Sequence, residues 1–143
     1  MRVDLDVAGE SGGRALVATV LLSHSRGRRR PSARFIVDTG SPITIVSEAL
    51  RQQLQIPKNA LNYSDSFDGV GGGKISAAVL RDAEFRFKSD GLTGEVEQDI
   101  YVSAGHQENL LGMDFFEDNN LDLHCTSDEE NRDDGGLEAY FEG

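Results

Sequence analysis

Asp38, an aspartate at the end of an apolar segment, is the residue of this sequence that is best suited to catalysis. Asp38 follows the apolar residues 35–37 and precedes Thr39, Gly40 and Ser41. The apolar segment predicts a buried strand, and the glycine permits a sharp turn that would present the carboxylate. A carboxylate held in this way can act as a general acid or base. The alternative is structural, because an aspartate in a turn commonly accepts hydrogen bonds from its own backbone.

A second segment, residues 69–74, combines four glycines with a lysine. Phosphate-binding loops use these residue types, but they need an earlier glycine at a fixed spacing, a Ser or Thr after the lysine, and a following helix. Here Ile75 follows the lysine, and the next residues have strand character. We therefore expect no nucleotide site. The glycines instead predict the tip of a hairpin spanning residues 63–80, where positive φ angles are easily adopted.

The remaining residues that could bind ligands are three histidines, one cysteine and a group of arginines. His24, His106, His124 and Cys125 show no spacing typical of metal ligands, and we expect no metal and no other cofactor. Residues 26–30 (Arg-Gly-Arg-Arg-Arg) form a basic cluster in an acidic chain. Such a cluster could contact nucleic acid, an acidic partner or the acidic tail of the chain itself. An exposed, solvated loop is the simpler interpretation, and we expect no nucleic-acid partner.

Composition restricts the class of protein. The chain has 143 residues, a formal charge of −11, and one cysteine, which excludes an internal disulfide framework. Its length predicts one domain. No apolar run approaches the roughly 18 residues of a membrane span, and the acidic start of the chain does not resemble a signal peptide. We therefore expect a cytoplasmic protein that does not associate with a membrane.

The acidic charge is concentrated at the carboxyl end of the chain. Seven acidic residues and one arginine give residues 127–143 a charge of −6, more than half of the total. A segment of this composition buries too little apolar surface to offset its ordering entropy. The sequence therefore predicts a folded domain over residues 1–126 and a disordered acidic tail over residues 127–143.

Short segments of β character predict a mainly β fold. Besides the hairpin, we predict strands over residues 15–22, 34–37, 43–46, 83–87, 95–102 and 121–125. Residues 49–54 have a helical apolar face, and Ser47 is a suitable N-cap for them. Seven or eight short strands with one or two short helices predict a small barrel or sandwich.

Three segments together resemble the retropepsin-like aspartic proteases, single-domain relatives of the retroviral proteases. They are residues 35–41 with the Asp-Thr-Gly motif, the glycine-rich residues 68–73, and residues 110–116 with Leu-Leu-Gly followed by Met-Asp. The order and spacing of the segments carry the resemblance, which covers residues 15–125. It implies a small closed β-barrel and a polypeptide substrate.

The resemblance also implies roles for individual residues. Asp38 would be the catalytic aspartate, and Thr39 would form the hydrogen-bonded grip between two active-site loops. Gly40 would leave room for the substrate backbone, and Ser41 would hydrogen-bond the outer oxygen of Asp38. Pro42 departs from the usual motif, since it restricts Ser41 to extended conformations.

Two further glycine segments take their roles from the same resemblance. Gly69, Val70, Gly71 and Gly72 would form the tip of a flap over the substrate. The run Gly71-Gly72-Gly73 makes this tip looser than in many relatives. Gly112 would pack behind the active-site loop.

The single Asp-Thr-Gly segment implies a homodimer. Members of this family hydrolyse amides with two carboxylates that share a proton, and this chain supplies one such aspartate, Asp38. The second would come from another copy, giving a symmetric dimer. The predicted function is thus an aspartic endopeptidase that activates water between two Asp38 carboxylates. The alternatives are a dimerisation or peptide-binding module of the same fold with little proteolysis, and an unrelated β-domain.

Overall fold

A computed structural model describes residues 1–10, 13–63, 65–68, 73–89, 92–103, 105–127 and 137–143, which contain eleven strands and two α-helices. The strands are β1 (Arg2–Asp4), β2 (Asp6–Glu10), β3 (Gly13–Ser23), β4 (Ser32–Val37), β5 (Ile45–Val46), β6 (Asp65–Asp68), β7 (Lys74–Ser89), β8 (Leu92–Val102), β9 (Leu110–Leu111), β10 (Asp122–Ser127) and β11 (Leu137–Glu142). The helices are α1 (Glu48–Leu54) and α2 (Met113–Asp118), with a 3-10 helix at Lys58–Ala60.

Six strands close into a barrel in the order β3-β4-β9-β5-β8-β7, because β7 pairs back onto β3. The closing pair is antiparallel and aligns Leu22 with Phe85. β2 extends the sheet beside β3, and β6 pairs with β7 as the arm of a hairpin. Closure of the sheet leaves few open edges. The prediction of a mainly β fold, a small closed barrel with one or two short helices, is confirmed.

Aromatic rings fill the barrel and the layer beneath it. Phe85 and Phe87 lie two residues apart on β7, so their side chains share the inner face. Both are fully buried, and the ring of Phe35 on β4 lies 5.3 Å from that of Phe85. Phe115 on α2 lies 5.4 Å from Phe85 and 5.9 Å from Phe87. This cluster joins α2 to the barrel, and burial of each such ring contributes roughly 1.5–3 kcal/mol.

The two ends of the described chain meet in a separate three-stranded sheet, ordered β1-β11-β10. Phe141 of β11 aligns with Val3 on one side and Leu123 on the other, and it is fully buried. The prediction of a disordered tail is therefore wrong for residues 137–143. The prediction relied on the average charge of residues 127–143. That average does not show that Ala139 and Phe141 alternate with Glu138, Tyr140 and Glu142 and so give β11 one apolar face. Residues 128–136 lie outside the described residues.

The long strand β7 contains the second arm of the predicted hairpin, residues 74–80, and the predicted strand over residues 83–87. They are joined through an irregularity between Leu80 and Ala83, where Asp82 adopts a positive φ of 59°. The backbone N–H of Asp82 donates to Asp99 Oδ1 at 3.0 Å, which stabilises this left-handed residue. Strands β1, β2, β9 and β11 are additional to the predicted strands. Across the ranges that the structure describes, neither α-helix has the length and apolar character needed to cross a membrane.

Candidate active site

Asp38 lies immediately after β4, where the chain turns towards β5. Strand β9 lies between these two strands: it runs parallel to β4, with Leu111 beside Val37, and antiparallel to β5, with Leu110 opposite Ile45. The backbone N–H of Asp38 donates to the carbonyl of Leu111 at 2.9 Å. The carboxylate is therefore attached to a backbone that neighbouring strands fix on both sides of the loop.

The turn after Asp38 holds one oxygen of its carboxylate. The N–H of Gly40 donates to Asp38 Oδ1 at 3.0 Å, and the N–H of Ser41 donates to the Asp38 carbonyl at 3.0 Å. A Cβ on Gly40 would lie 3.2 Å from Oδ1, so the glycine keeps the space beside the carboxylate open. Among the described residues, no group donates to Oδ2. The side chain of Asp38 is partly exposed and is free to contact a ligand.

The other two residues of the predicted motif differ in their surroundings. Thr39 is exposed, and in the described part of the chain its hydroxyl forms no hydrogen bond. Ser41 Oγ donates to the carbonyl of Ile43 at 2.8 Å. Because a hydroxyl has one proton, Ser41 closes its own loop in this structure and does not donate to Asp38, unlike the expectation from the motif.

Gly112 lies directly behind the loop that carries Asp38. A Cβ at this position would overlap the carbonyl of Ile43 and lie 2.8 Å from the carbonyl oxygen of Ser41. The next residue, Met113, donates its N–H to that same Ser41 oxygen at 2.8 Å. The loop and the start of α2 are thus in backbone contact, which only a residue without a side chain allows.

A buried threonine connects the loop to α2. Thr44 donates from its N–H to Asp114 Oδ2 at 3.1 Å and from its hydroxyl to Asp114 Oδ1 at 2.7 Å. The same hydroxyl accepts the N–H of Gly112 at 3.2 Å. Burial raises the pKa of the Asp114 carboxyl, although its hydrogen bonds to Thr44 oppose the increase. Asp114 is therefore occupied in holding the loop, and we name Thr44 and Asp114 the loop clamp.

Asn109 forms a second connection that the sequence did not reveal. Its side-chain Oδ1 accepts the N–H of Ser47 at 2.8 Å, and its Nδ2 donates to the carbonyl of Arg34 at 3.2 Å. Asn109 thereby links β4 to the start of α1. The predicted N-cap is confirmed there, since Ser47 Oγ accepts the N–H of Leu50 at 3.1 Å.

The arms of the predicted hairpin pair as β6 and β7, with Asp68 opposite Lys74. The predicted flap-tip residues Gly69, Val70, Gly71 and Gly72 lie outside the described residues. The roles assigned to them remain predictions.

His24 has a structural role. Its Nδ1 accepts the N–H of Arg26 at 3.1 Å, so its Nε2 carries the proton that faces the carbonyl of Arg81 at 2.9 Å. Within the described ranges, no group of three histidine, cysteine or acidic side chains is placed to hold a metal ion.

Comparisons with known proteins agree with this geometry. The family model described as Aspartyl protease matches residues 27–115, more than half of the chain. No curated protein matches the sequence. Among solved structures, a retropepsin-like aspartic protease from Rickettsia conorii is 17% identical, with coverage of 97% of this chain and 98% of that one and a TM-score of 0.58. EIAV protease in complex with the inhibitor HBY-793 is 16% identical, with coverage of 79% and 95% and a TM-score of 0.54. At these identities the similarity establishes the fold.

Proposed function

The chain belongs to the aspartyl protease family, and we propose that it is an aspartic endopeptidase whose active site forms between two copies of the chain. The observation that carries the proposal is the presentation of Asp38. Its backbone is fixed by β9, one carboxylate oxygen is held by Gly40 N–H, and the side chain is partly exposed.

The requirement for a second copy follows from the number of available carboxylates. Peptide hydrolysis by this chemistry needs one carboxylate to accept a proton and a second to donate one. The other acidic residue near the loop, Asp114, accepts two hydrogen bonds from Thr44 and is occupied. Thr39 and Gly40 are exposed beside Asp38, which leaves this surface available to a symmetric partner.

The proposed mechanism uses one water molecule and no covalent intermediate. Ionised Asp38 accepts a proton from the water as its oxygen bonds to the carbonyl carbon of the peptide. Asp38 of the partner subunit, which is protonated, donates its proton to the carbonyl oxygen and gives a tetrahedral diol. Asp38 then transfers its proton to the nitrogen, the C–N bond breaks, and a diol hydroxyl returns its proton to Asp38 of the partner subunit, which releases an amine and a carboxylic acid and restores the starting protonation. The hairpin of β6 and β7, with Gly69–Gly72 at its tip, would cover an extended polypeptide substrate.

The decisive variant is Asp38→Asn, which keeps the shape of the side chain and removes the base. Cleavage of an unfolded protein substrate, followed by mass spectrometry from acidic to neutral pH, should be lost in this variant and retained in Asp122→Asn, a control at an exposed acid on β10. Sedimentation should show dimers for all three proteins. Equal cleavage by wild type and Asp38→Asn would overturn the proposal. Dimers without cleavage by wild type at any pH would overturn it in favour of a binding module.

A further inference from the structure

The basic segment at residues 26–30, which we call the arginine loop, is held in place by backbone hydrogen bonds. The N–H groups of Arg28 and Arg29 both donate to the carbonyl of Leu54 at the end of α1, at 3.0 and 3.4 Å. Gly27 donates to the carbonyl of His24 at 3.0 Å, and a Cβ on Gly27 would lie 2.7 Å from the Leu54 oxygen. The loop is therefore a defined structure that displays its side chains from a fixed backbone.

The charges on the arginine loop form no ion pair in the described ranges, although Arg30 acts electrostatically on Glu84 from beyond ion-pairing distance. Arg28, Arg29 and Arg30 are all exposed, and no carboxylate in the described ranges lies within ion-pairing distance of them. Four arginines elsewhere in the described chain each lie within 3.3 Å of a carboxylate; these are Arg2, Arg51, Arg81 and Arg86. Arg28, Arg29 and Arg30 thus place three positive charges on consecutive residues without an ion pair to hold them. This arrangement is typical of a surface that binds an anion.

The size of the basic surface restricts the kind of anion. Arg28, Arg29 and Arg30 line a cavity of about 700 Å³, whose wall also contains Asp82, Glu84 and Glu97. These acids limit the positive surface to a short stretch, and the formal charge of −11 repels long polyanions. A few carboxylates of a polypeptide fit these limits better than a nucleic acid, which presents a continuous line of phosphates.

We propose that the arginine loop is a docking surface for a short acidic segment of a polypeptide. The loop precedes β4 and Asp38 follows it, so the two sites lie at opposite ends of this strand. Six residues of strand separate them by about 20 Å. Where the bound polypeptide is the substrate, which rests on the proposed protease function, its acidic segment lies about six or more extended residues from the cleaved bond.

Binding is tested separately from cleavage by placing all variants in the Asp38→Asn background. Fluorescence anisotropy with a labelled oligoglutamate peptide at low salt should show binding that weakens as salt is raised. The triple variant Arg28→Gln/Arg29→Gln/Arg30→Gln should bind about tenfold more weakly, as expected for the loss of three exposed ion pairs. The matched triple lysine variant, which retains the charges, should stay within about threefold of the parent. Arg14→Gln/Arg34→Gln/Lys58→Gln removes three charges outside the loop, so it is the control for net charge and should also stay within about threefold of the parent.

The docking surface would be overturned if oligoglutamate did not bind measurably, or if oligoglutamine bound as tightly as oligoglutamate. It would also be overturned if the net-charge control lost as much affinity as the triple glutamine variant, or if the triple glutamine variant kept the affinity of the parent. Tighter binding of single-stranded DNA than of oligoglutamate would overturn the choice of partner in favour of nucleic acid. With Asp38 intact, kcat/KM for a substrate carrying an acidic segment should fall about tenfold in the triple glutamine variant and stay unchanged for a neutral substrate. Absence of any cleavage would contradict the protease function and leave the binding result standing.

Discussion

Asp114 and Thr44 are joined by two hydrogen bonds across 70 residues of sequence, one to each carboxylate oxygen. Through this loop clamp, α2 fixes the far end of the loop that carries Asp38. Gly112 packs behind the middle of the same loop, and Leu111 accepts a hydrogen bond from its start. The segment formed by β9 and α2 therefore positions the whole candidate active site.

Removal of the clamp carboxylate should destabilise the protein. Asp114→Ala leaves the buried hydroxyl and N–H of Thr44 without acceptors, and we expect a loss of about 1–3 kcal/mol in the free energy of unfolding. Urea unfolding monitored by circular dichroism measures the loss. Glu117→Ala, at an exposed acid on the same helix, is the control and should change stability by less than about 0.5 kcal/mol. Similar stabilities of the two variants would show that the clamp does not hold the loop.

The clamp also makes stability dependent on pH. Burial raises the pKa of Asp114, so its contribution to stability is complete below the pKa of the unfolded chain and is lost as pH rises through the folded pKa. Wild type should therefore gain stability relative to Asp114→Asn as pH falls from neutral through the folded pKa. Urea unfolding of both proteins over this range measures the difference. A difference that stays constant, or that grows with rising pH, would contradict the assignment.

Gly112→Ala should disrupt the active-site loop. The added methyl group overlaps the carbonyl of Ile43, and relief of the overlap must move that loop because the obstacle is backbone. We expect a destabilisation of about 1–3 kcal/mol together with loss of peptide cleavage. Gly9→Ala is the matched control, since a Cβ there meets no atom within 4 Å. Full cleavage activity in Gly112→Ala would show that the loop tolerates displacement.

The carboxyl-terminal strand should be required for folding. The ring of Phe141 is fully buried and lies 5.3 Å from Phe87 and 5.6 Å from Phe116. Phe141→Ala should lower the free energy of unfolding by about 3–5 kcal/mol. The control Glu138→Ala, at an exposed residue of the same strand, should change the free energy of unfolding little. A loss below about 1 kcal/mol for Phe141→Ala would indicate that β11 packs weakly.

Local features of the site were predictable from the sequence. The N-cap Ser47 and the turn around Asp38 depend on residues only a few positions apart, and their residue types identify them. Contacts between distant residues were not predictable. No neighbouring residue in the sequence indicates that Thr44 contacts Asp114 or that Asn109 contacts Ser47. The one available signal was Thr44 itself, a polar residue among the apolar residues 43–46, which indicates a buried hydrogen bond.

The carboxyl-terminal residues 137–143 show that composition alone does not predict whether a segment is ordered. The net charge of residues 127–143 predicted disorder, yet Ala139 and Phe141 have the alternation of a strand with one buried face. Averaging over 17 residues concealed a six-residue pattern.

The central claim, that each active site needs Asp38 from two chains, is tested most directly by subunit mixing. Wild type is unfolded and refolded with an equal amount of Asp38→Asn, and peptide cleavage is measured per wild-type chain. Random pairing places half of the wild-type chains in mixed dimers that lack one carboxylate, so activity per wild-type chain should fall to about half. Mixing with an equal amount of Asp122→Asn, which is itself active, should instead double the activity per wild-type chain. Activity per wild-type chain that is the same with and without the Asp38→Asn protein would contradict the account.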